Sequence, residues 1–198
     1  LKLSGEALQD KVDHRIYNAK ALNTVAEAIK KMKSTGVEIA IVIGAGNIWR
    51  GKLADEIGIE RSTADYMGML GTIINSLALK SALENAGLEC RVMSAIEVRA
   101  VSELYIRGRA IRHLEKGRVV IFAGGTGNPF FTTDTTATLR AMDIGADAVL
   151  MAKNGVDGVY TADPNVVKDA MLLQTLEFKD MLAKNLQVMD LTAISLCM

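Results

Sequence analysis

Apolar positions along this chain change their period several times, and each change predicts an element. Ile16, Ala19, Leu22, Val25, Ile29 and Met32 recur every three or four residues, the spacing of one buried helix face. Gly36 ends that helix. Val37 to Ile43, VEIAIVI, is a nearly continuous apolar run, which suits a parallel strand covered on both faces. A basic, turn-rich segment from Arg50 to Arg61 leads to a long helix, with Met67, Leu70, Ile74 and Leu77 on one stripe and Gly87 at its stop. Cys90 to Met93 predicts a short strand, and 95–105 and 107–115 predict two helical stretches that reach Gly117. Val119 to Ala123, VVIFA, is another apolar strand. The helix after Asp134 turns Ala137, Ala141 and Met142 towards the sheet, and Asp147 to Met151, DAVLM, predicts a further strand. Lys153 to Tyr160 reads as a loop or hairpin, followed by a turn at Asp163-Pro164. Glu177 to Ala183 predicts a helix, and Thr192 caps a last short one that holds Ala193 and Leu196.

Strand, glycine turn and helix alternate throughout. That order predicts an α/β fold, a three-layer αβα sandwich around a mostly parallel sheet. The 198 residues suffice for one well-buried domain, and no linker or repeat divides them. Leu1 to Gly5 reads as the last half of a strand entering a turn, so natural residues are expected before Leu1.

Composition narrows the function classes. Lys plus Arg and Asp plus Glu number 23 each, so no basic excess points to nucleic acid. The longest apolar runs are strand-sized, which argues against a membrane span. Cys90 and Cys197 are the only cysteines. They form no zinc pattern and fit a reducing cytoplasmic compartment.

The chemistry concentrates where strands end. Ser4-Gly5, Gly44-Ala45-Gly46-Asn47 and Gly124 to Asn128 each follow an apolar strand. In a parallel sheet such ends lie side by side, where backbone N–H groups and helix N-termini converge on one volume and bind phosphate oxygens. Two familiar fingerprints are absent: GxGxxG would need glycine where Trp49 stands, and there is no GxxxxGK[ST]. The third loop carries Asn128, two Phe and five Thr between 126 and 136, far more polar chemistry than a glycine turn with an Asp N-cap requires. Lys2 either directs a charge at phosphate oxygens or is a solvated residue near a chain end. Arg50 either clamps a phosphate or is an exposed arginine. Asp65 caps the long helix or accepts from a sugar diol, and the sequence favours the cap. Asp134 is placed to orient a magnesium-bound phosphate, since phosphoryl transfer asks mainly for positioning and charge neutralisation. Asp163, after Tyr160, is a second acid near a nucleotide loop. The two histidines are poor general-base candidates: His14 lies in a polar segment, and His113 reads as solvated helix surface.

Four blocks carry a resemblance: KLSGEAL at 2–8, VIGAGNIWRG at 42–51, TGNPFFTTD at 126–134 and VDGVYTADP at 156–164, with Val188-Met189-Asp190 beside them. The chain resembles the bacterial uridylate kinases of the amino-acid-kinase family, whose fold is the carbamate-kinase-like sandwich, over essentially its whole length. The resemblance implies transfer of a phosphoryl group from ATP to UMP, with magnesium accompanying ATP. It implies Lys2 and Asp134 as catalytic residues. Lys2, Ser4, Gly5, Gly46, Arg50, Asn154, Tyr160 and Asp163 would bind ATP. Ala45, Asp65, Thr126, Gly127, Asn128, Pro129, Phe130, Phe131, Thr132 and Thr133 would bind UMP. No protein metal ligand is implied. The N-terminal part would serve UMP and phosphate, and 145–198 would form an incomplete ATP-binding lobe. A homo-oligomer, expected to be a hexamer, with GTP and UTP as effectors is implied as well.

The chain departs from the family pattern in three places. Ala45 replaces a usual glycine, which is tolerated only at ordinary φ. The loop at Gln9-Asp10 is short. The chain stops at Met198, where family members continue through another helix and strand. Competing readings are a kinase of a small acid such as acetylglutamate or carbamate, a non-catalytic nucleotide-binding regulator and, more remotely, a dehydrogenase.

Overall fold

The computed structural model describes residues 1–10, 15–152, 158–162, 164, 166–183, 186 and 189–198, with Lys52 described by its backbone only. Strands β1 (Lys2–Leu3), β2 (Ala40–Ile43), β3 (Cys90–Ser94), β4 (Glu103–Leu104) and β5 (Val119–Ala123) form one sheet in the order β1-β2-β5-β3-β4. All neighbours in it are parallel. β5 lies at the centre with every residue buried, which explains a strand sequence without a polar position.

Helices cover both faces. α1 (Ala19–Lys33) and α3 (Arg61–Asn85) pack Ala26, Ile29, Leu79 and Leu83 against Ile41, Ile43, Val119 and Ile121. α4 (Arg107–Glu115) and α5 (Thr133–Ile144) pack Ala110, Leu114 and Ala137 against Val42, Met93, Val120 and Phe122. Alternate strand residues thus serve opposite faces, and the expected three layers are present. Helix α2 (Gly51–Ile57) lies inside the segment read as basic and turn-rich, closed by Gly58 at φ 72. Later in the chain β6 (Val159–Tyr160) and β7 (Leu172–Leu173) pair as an antiparallel ribbon, followed by α6 (Phe178–Ala183) and α7 (Leu191–Cys197). α7 packs on α5.

Several expectations are corrected. Residues 95–105 are not helical; they turn and then form edge strand β4. Ala95 N–H donates to the Ala123 carbonyl and Ile96 N–H to Ser94 Oγ, bonds that replace a helical ladder. Asp147–Met151 forms no full strand, only a bridge between Met151 and Lys2, with Lys2 N–H donating to the Leu150 carbonyl. On α3, Leu70 and Ile74 are 47% and 50% exposed. The buried side runs through Met69, Thr72, Ile73, Ser76, Leu79 and Leu83. Thr72 and Ser76 can face the core because their hydroxyls donate to carbonyls one turn back, of Met69 and Thr72. Met142 is exposed rather than turned to the sheet. α1 begins at Ala19 under an Asn18 cap, leaving Ile16 outside it. The last helix is capped by Asp190, not Thr192. His113 is not solvated surface: it lies between Glu103 and Arg118, its Nε2 3.2 Å from the carboxylate and its Nδ1 3.0 Å from the guanidinium.

Candidate active site

The registers Leu3↔Ile43 and Val42↔Phe122 bring the carboxyl ends of β1, β2 and β5 side by side. The three glycine turns therefore converge as expected, at the strand end where α/β proteins bind ligands. Packing is tight at Gly5 and Gly44. A Cβ on Gly5 would sit 2.3 Å from Asn47 Oδ1 and 2.6 Å from the Gly44 carbonyl. One on Gly44 would lie 3.3 Å from Thr133 Oγ1. Ala45 has no positive φ, so its methyl is unstrained in this turn.

Asn75 is the clamp beneath these turns, fully buried on α3. Its Nδ2 donates to the Gly44 carbonyl (2.7 Å) and Asn47 Oδ1 (2.8 Å), while its Oδ1 accepts from Tyr17 (3.0 Å). Sequence reasoning missed it because its partners are 28 to 58 residues away. The available signal was a polar residue in the buried register of a helix, which must find partners.

Lys2, the first residue of β1, reaches Asp134 on the first turn of α5 with Nζ to Oδ1 at 2.9 Å. Both side chains are mostly shielded, at 13% and 14% exposed. Asp134 does not cap α5. Thr132 does, its Oγ1 accepting from the N–H groups of Asp134 and Thr135. The Asp134 carboxylate is thus available to the lysine. Thr132 and Thr135 both donate to Asp190, which also caps α7 by accepting from Ala193 N–H. Burial alone would raise the Asp190 pKa, but these bonds outweigh it and hold the carboxyl below its ordinary value. Sequence reasoning quoted Asp190 without a role, because its threonine partners lie 55 and 58 residues away.

Ser4 caps the short helical turn Gly5–Leu8. Arg50 pairs with Glu6 and donates to the Gly46 carbonyl, its side chain 67% exposed. Beside these groups lies a cavity of about 310 Å3. Ala45, Gly46, Asp65, Asn128, Phe131, Thr132 and Thr133, all predicted, are on its wall, together with Trp49, which was not. Thr126, Gly127, Pro129 and Phe130 belong to the same loop but not to that wall. A larger, mainly apolar hollow of about 550 Å3 lies at the amino end of the sheet and meets none of the glycine turns.

The loop's course depends on backbone only glycine adopts readily: Gly124, Gly125 and Gly127 have φ of 75, 59 and 83. Gly124 N–H donates to Thr72, and the buried Arg140, stacked on Tyr105 and paired with Asp143, donates to the Gly125 carbonyl. Phe130 also has positive φ, 70, and its N–H donates to Asp65 Oδ2 at 2.8 Å. Asp65 is not the helix cap the sequence favoured. α3 begins at Arg61, and the carboxylate accepts from Arg61 as well as from the loop. Tyr160 stands in the β6–β7 ribbon, and Asn154, Asp163 and His14 lie outside the described residues.

The amino acid kinase family model matches residues 1–198. A uridylate kinase of Limosilactobacillus reuteri is 58% identical over 198 residues, all of this chain and 82% of the relative. The crystal structure of UMP kinase from Bacillus anthracis is similar at 48% identity and a TM-score of 0.96, covering 99% of this chain and 80% of that one. UMP kinase from Ureaplasma parvum is similar at 41% identity and a TM-score of 0.94, covering 99% and 83%.

Proposed function

The chain belongs to the amino acid kinase family, and from that premise we propose that it phosphorylates UMP to UDP with ATP, in pyrimidine nucleotide biosynthesis. The observation that carries this reading is the Lys2–Asp134 pair, 2.9 Å apart at the strand ends, next to a cavity walled by the second and third glycine turns, threonine hydroxyls and Asn128. A phosphate oxygen of UMP is already a nucleophile. It attacks the terminal phosphorus of ATP, a new P–O bond forms, and the bond to the bridging oxygen breaks towards ADP. No histidine base is needed. Lys2 neutralises charge gathering on the transferred group, and Asp134 holds the ammonium in place. Ser4, Gly5, Gly46 and Arg50 receive phosphates, while Ala45, Asp65 and the 126–133 loop receive UMP. Residues 145–198, with Asn154, Tyr160 and Asp163, serve ATP.

Among the described residues no group of three or more His, Cys, Asp or Glu could hold a metal. Magnesium binds through one or two carboxylates plus substrate phosphates. Asp134 would face it, and the ion would supply charge neutralisation to the phosphates. Tyr66, Leu70 and Ile74 make an exposed apolar stripe on α3, which supports self-association; a hexamer responsive to GTP and UTP is the assembly we propose. No helix among the described residues is long and apolar enough to cross a membrane, and we place the enzyme in the cytoplasm with its two free cysteines.

A coupled ADP-release assay tests the reading with UMP, CMP, dTMP, GMP, acetylglutamate and carbamate as acceptors. UMP should lead. An acid acceptor in first place would move the chain to another branch of the family, and no turnover with any would leave a nucleotide-binding regulator.

A further inference from the structure

Trp49 is the only tryptophan of the chain. It follows the second glycine turn, its N–H bonded to the Ala45 carbonyl, and its side chain is on the cavity wall. The edge of the indole rests on α3: a Cβ built on Gly68 would lie 3.6 Å from Trp49 Cδ1. Cδ1 is bonded to Nε1, so the N–H edge of the ring lies beside this helix. Asp65 is three residues before Gly68 and shares its helix face. Both Trp49 and Asp65 border the same cavity.

The indole N–H has no hydrogen-bond partner among the described residues, although the atom is buried. An indole can only donate. A buried donor without an acceptor is costly, and a native structure rarely keeps one without a reason. Asp65 presents the converse chemistry. Its carboxylate accepts only, and it already takes Arg61 Nε and Phe130 N–H. A sugar hydroxyl both donates and accepts. An acidic acceptor and a lone N–H donor along one helix face are the two complementary halves of a site for such a group.

We propose that Trp49 is a binding residue for the acceptor's ribose, its indole N–H donating to the oxygen of a hydroxyl whose proton is given to Asp65. This rests on the UMP reading above. The uracil and the phosphate have other donors, on the 126–133 loop and at the glycine turns. With Asp65 taking the ribose, Trp49 Nε1 is the buried donor beside it that has no partner among the described residues.

Trp49→Phe keeps an aromatic ring and removes only the N–H and part of the surface. With the natural enzyme, UMP should exceed either 2′-deoxy-UMP or 3′-deoxy-UMP in kcat/KM. In Trp49→Phe, kcat/KM for UMP should fall about tenfold, the size of one neutral hydrogen bond, through KM rather than kcat. The deoxy analogue lacking the bonded hydroxyl should be unaffected, so the preference for UMP over it collapses. A uniform loss over all three nucleotides, or no loss in any, overturns the proposal. Should the variant fail to fold, tryptophan emission of the natural protein decides. It must change on saturation with UMP and change less with the relevant deoxy analogue, and identical responses overturn the assignment. A natural enzyme that binds and phosphorylates none of these nucleotides would instead refute the UMP reading itself.

Discussion

The loops at the carboxyl end of the five-stranded sheet and the segment from 158 to 198 are built on different terms. The loops issue from strands buried on both faces, and buried polar groups behind them, Asn75, Thr72 and Arg140, tie their backbone down. The later segment has a ribbon of two-residue strands and two short helices. It leaves Val166, Met171 and Leu191 between 62% and 78% exposed. Lys2 and Asp134 both stand on the first region. The second is tied to that mount by Asp190, which grips the α5 cap and caps α7 with one carboxylate. The sheet and α5 can therefore keep the charged pair in register, and the later segment meets them through Asp190 and through Cys197, whose Sγ lies 3.9 Å from Thr138 Oγ1.

The most severe break in that arrangement removes the pair. Lys2→Ala should lower turnover about a hundredfold, roughly 3 kcal/mol of transition-state stabilisation, with UMP affinity nearly kept. Asp134→Asn should do the same while leaving the helix capped, because Thr132 is the cap. Steady-state turnover beside UMP binding by calorimetry reads both. Natural turnover in either variant would remove the pair from the mechanism.

Next in size is the packing below the pair. Gly5→Ala inserts a methyl that meets Asn47 and the Gly44 carbonyl well inside contact distance. Overpacking of this kind costs about 1–3 kcal/mol, and the thermal midpoint should drop accordingly. The same substitution at Gly108, where a Cβ meets nothing within 4 Å and φ is not positive, carries neither the crowding nor a backbone strain. If both variants melt alike, the crowding at Gly5 does not matter.

The apolar run of β5 and the glycines after it announce a buried strand and its turn, because both signals are local. Lys2 and Asp134 were found through their flanking motifs. Residues 95–105 imitate a helix in spacing, yet the Ala95, Ile96 and Tyr105 N–H groups bond to Ala123 and Ser94 instead. The α3 stripe misled for a related reason. Its apolar Leu70 and Ile74 face outward while Thr72, Asn75 and Ser76 face in, since hydroxyls and an amide with fixed partners can occupy a core that hydropathy assigns to leucine. Asn75, Asp190 and the Trp49 N–H act through contacts far apart in the chain, and no local pattern carries them.

The joint should yield a smaller effect. Asp190→Ala removes a helix cap and leaves two threonine hydroxyls without their acceptor, for a loss of about 1–2 kcal/mol. Its pH dependence has a definite sign. The folded carboxyl titrates below its ordinary 3.8, so its contribution is complete above that value and fades as the pH falls through the lower folded one. Melting curves of the natural protein and the variant should be well separated at neutral pH and converge in acid below about pH 4. A gap that widens in acid would mean that the carboxylate is not the stabilising form.

The smallest effect is expected at Phe130, where the well-anchored region holds its one strained side-chain-bearing residue among those described. Its φ is 70, its side chain is largely exposed, and the conformation is fixed by its N–H bond to Asp65 with Arg61 6.0 Å over the ring. A non-glycine residue in this region stores about 1–2 kcal/mol. Phe130→Gly releases that strain but adds about 0.5–1 kcal/mol of unfolded-state entropy. The two terms oppose, so the net gain is roughly 0.5 kcal/mol, a rise of about 1–2 °C in Tm for a chain of this size. Phe130→Ala loses the ring without losing the strain and should show no gain. Activity should move the other way in the glycine variant. Its loop samples more conformations before UMP arrives, and ordering them weakens binding. A glycine variant less stable than the alanine one would show that the positive φ is not strained, and that the loop is anchored by Asp65 alone.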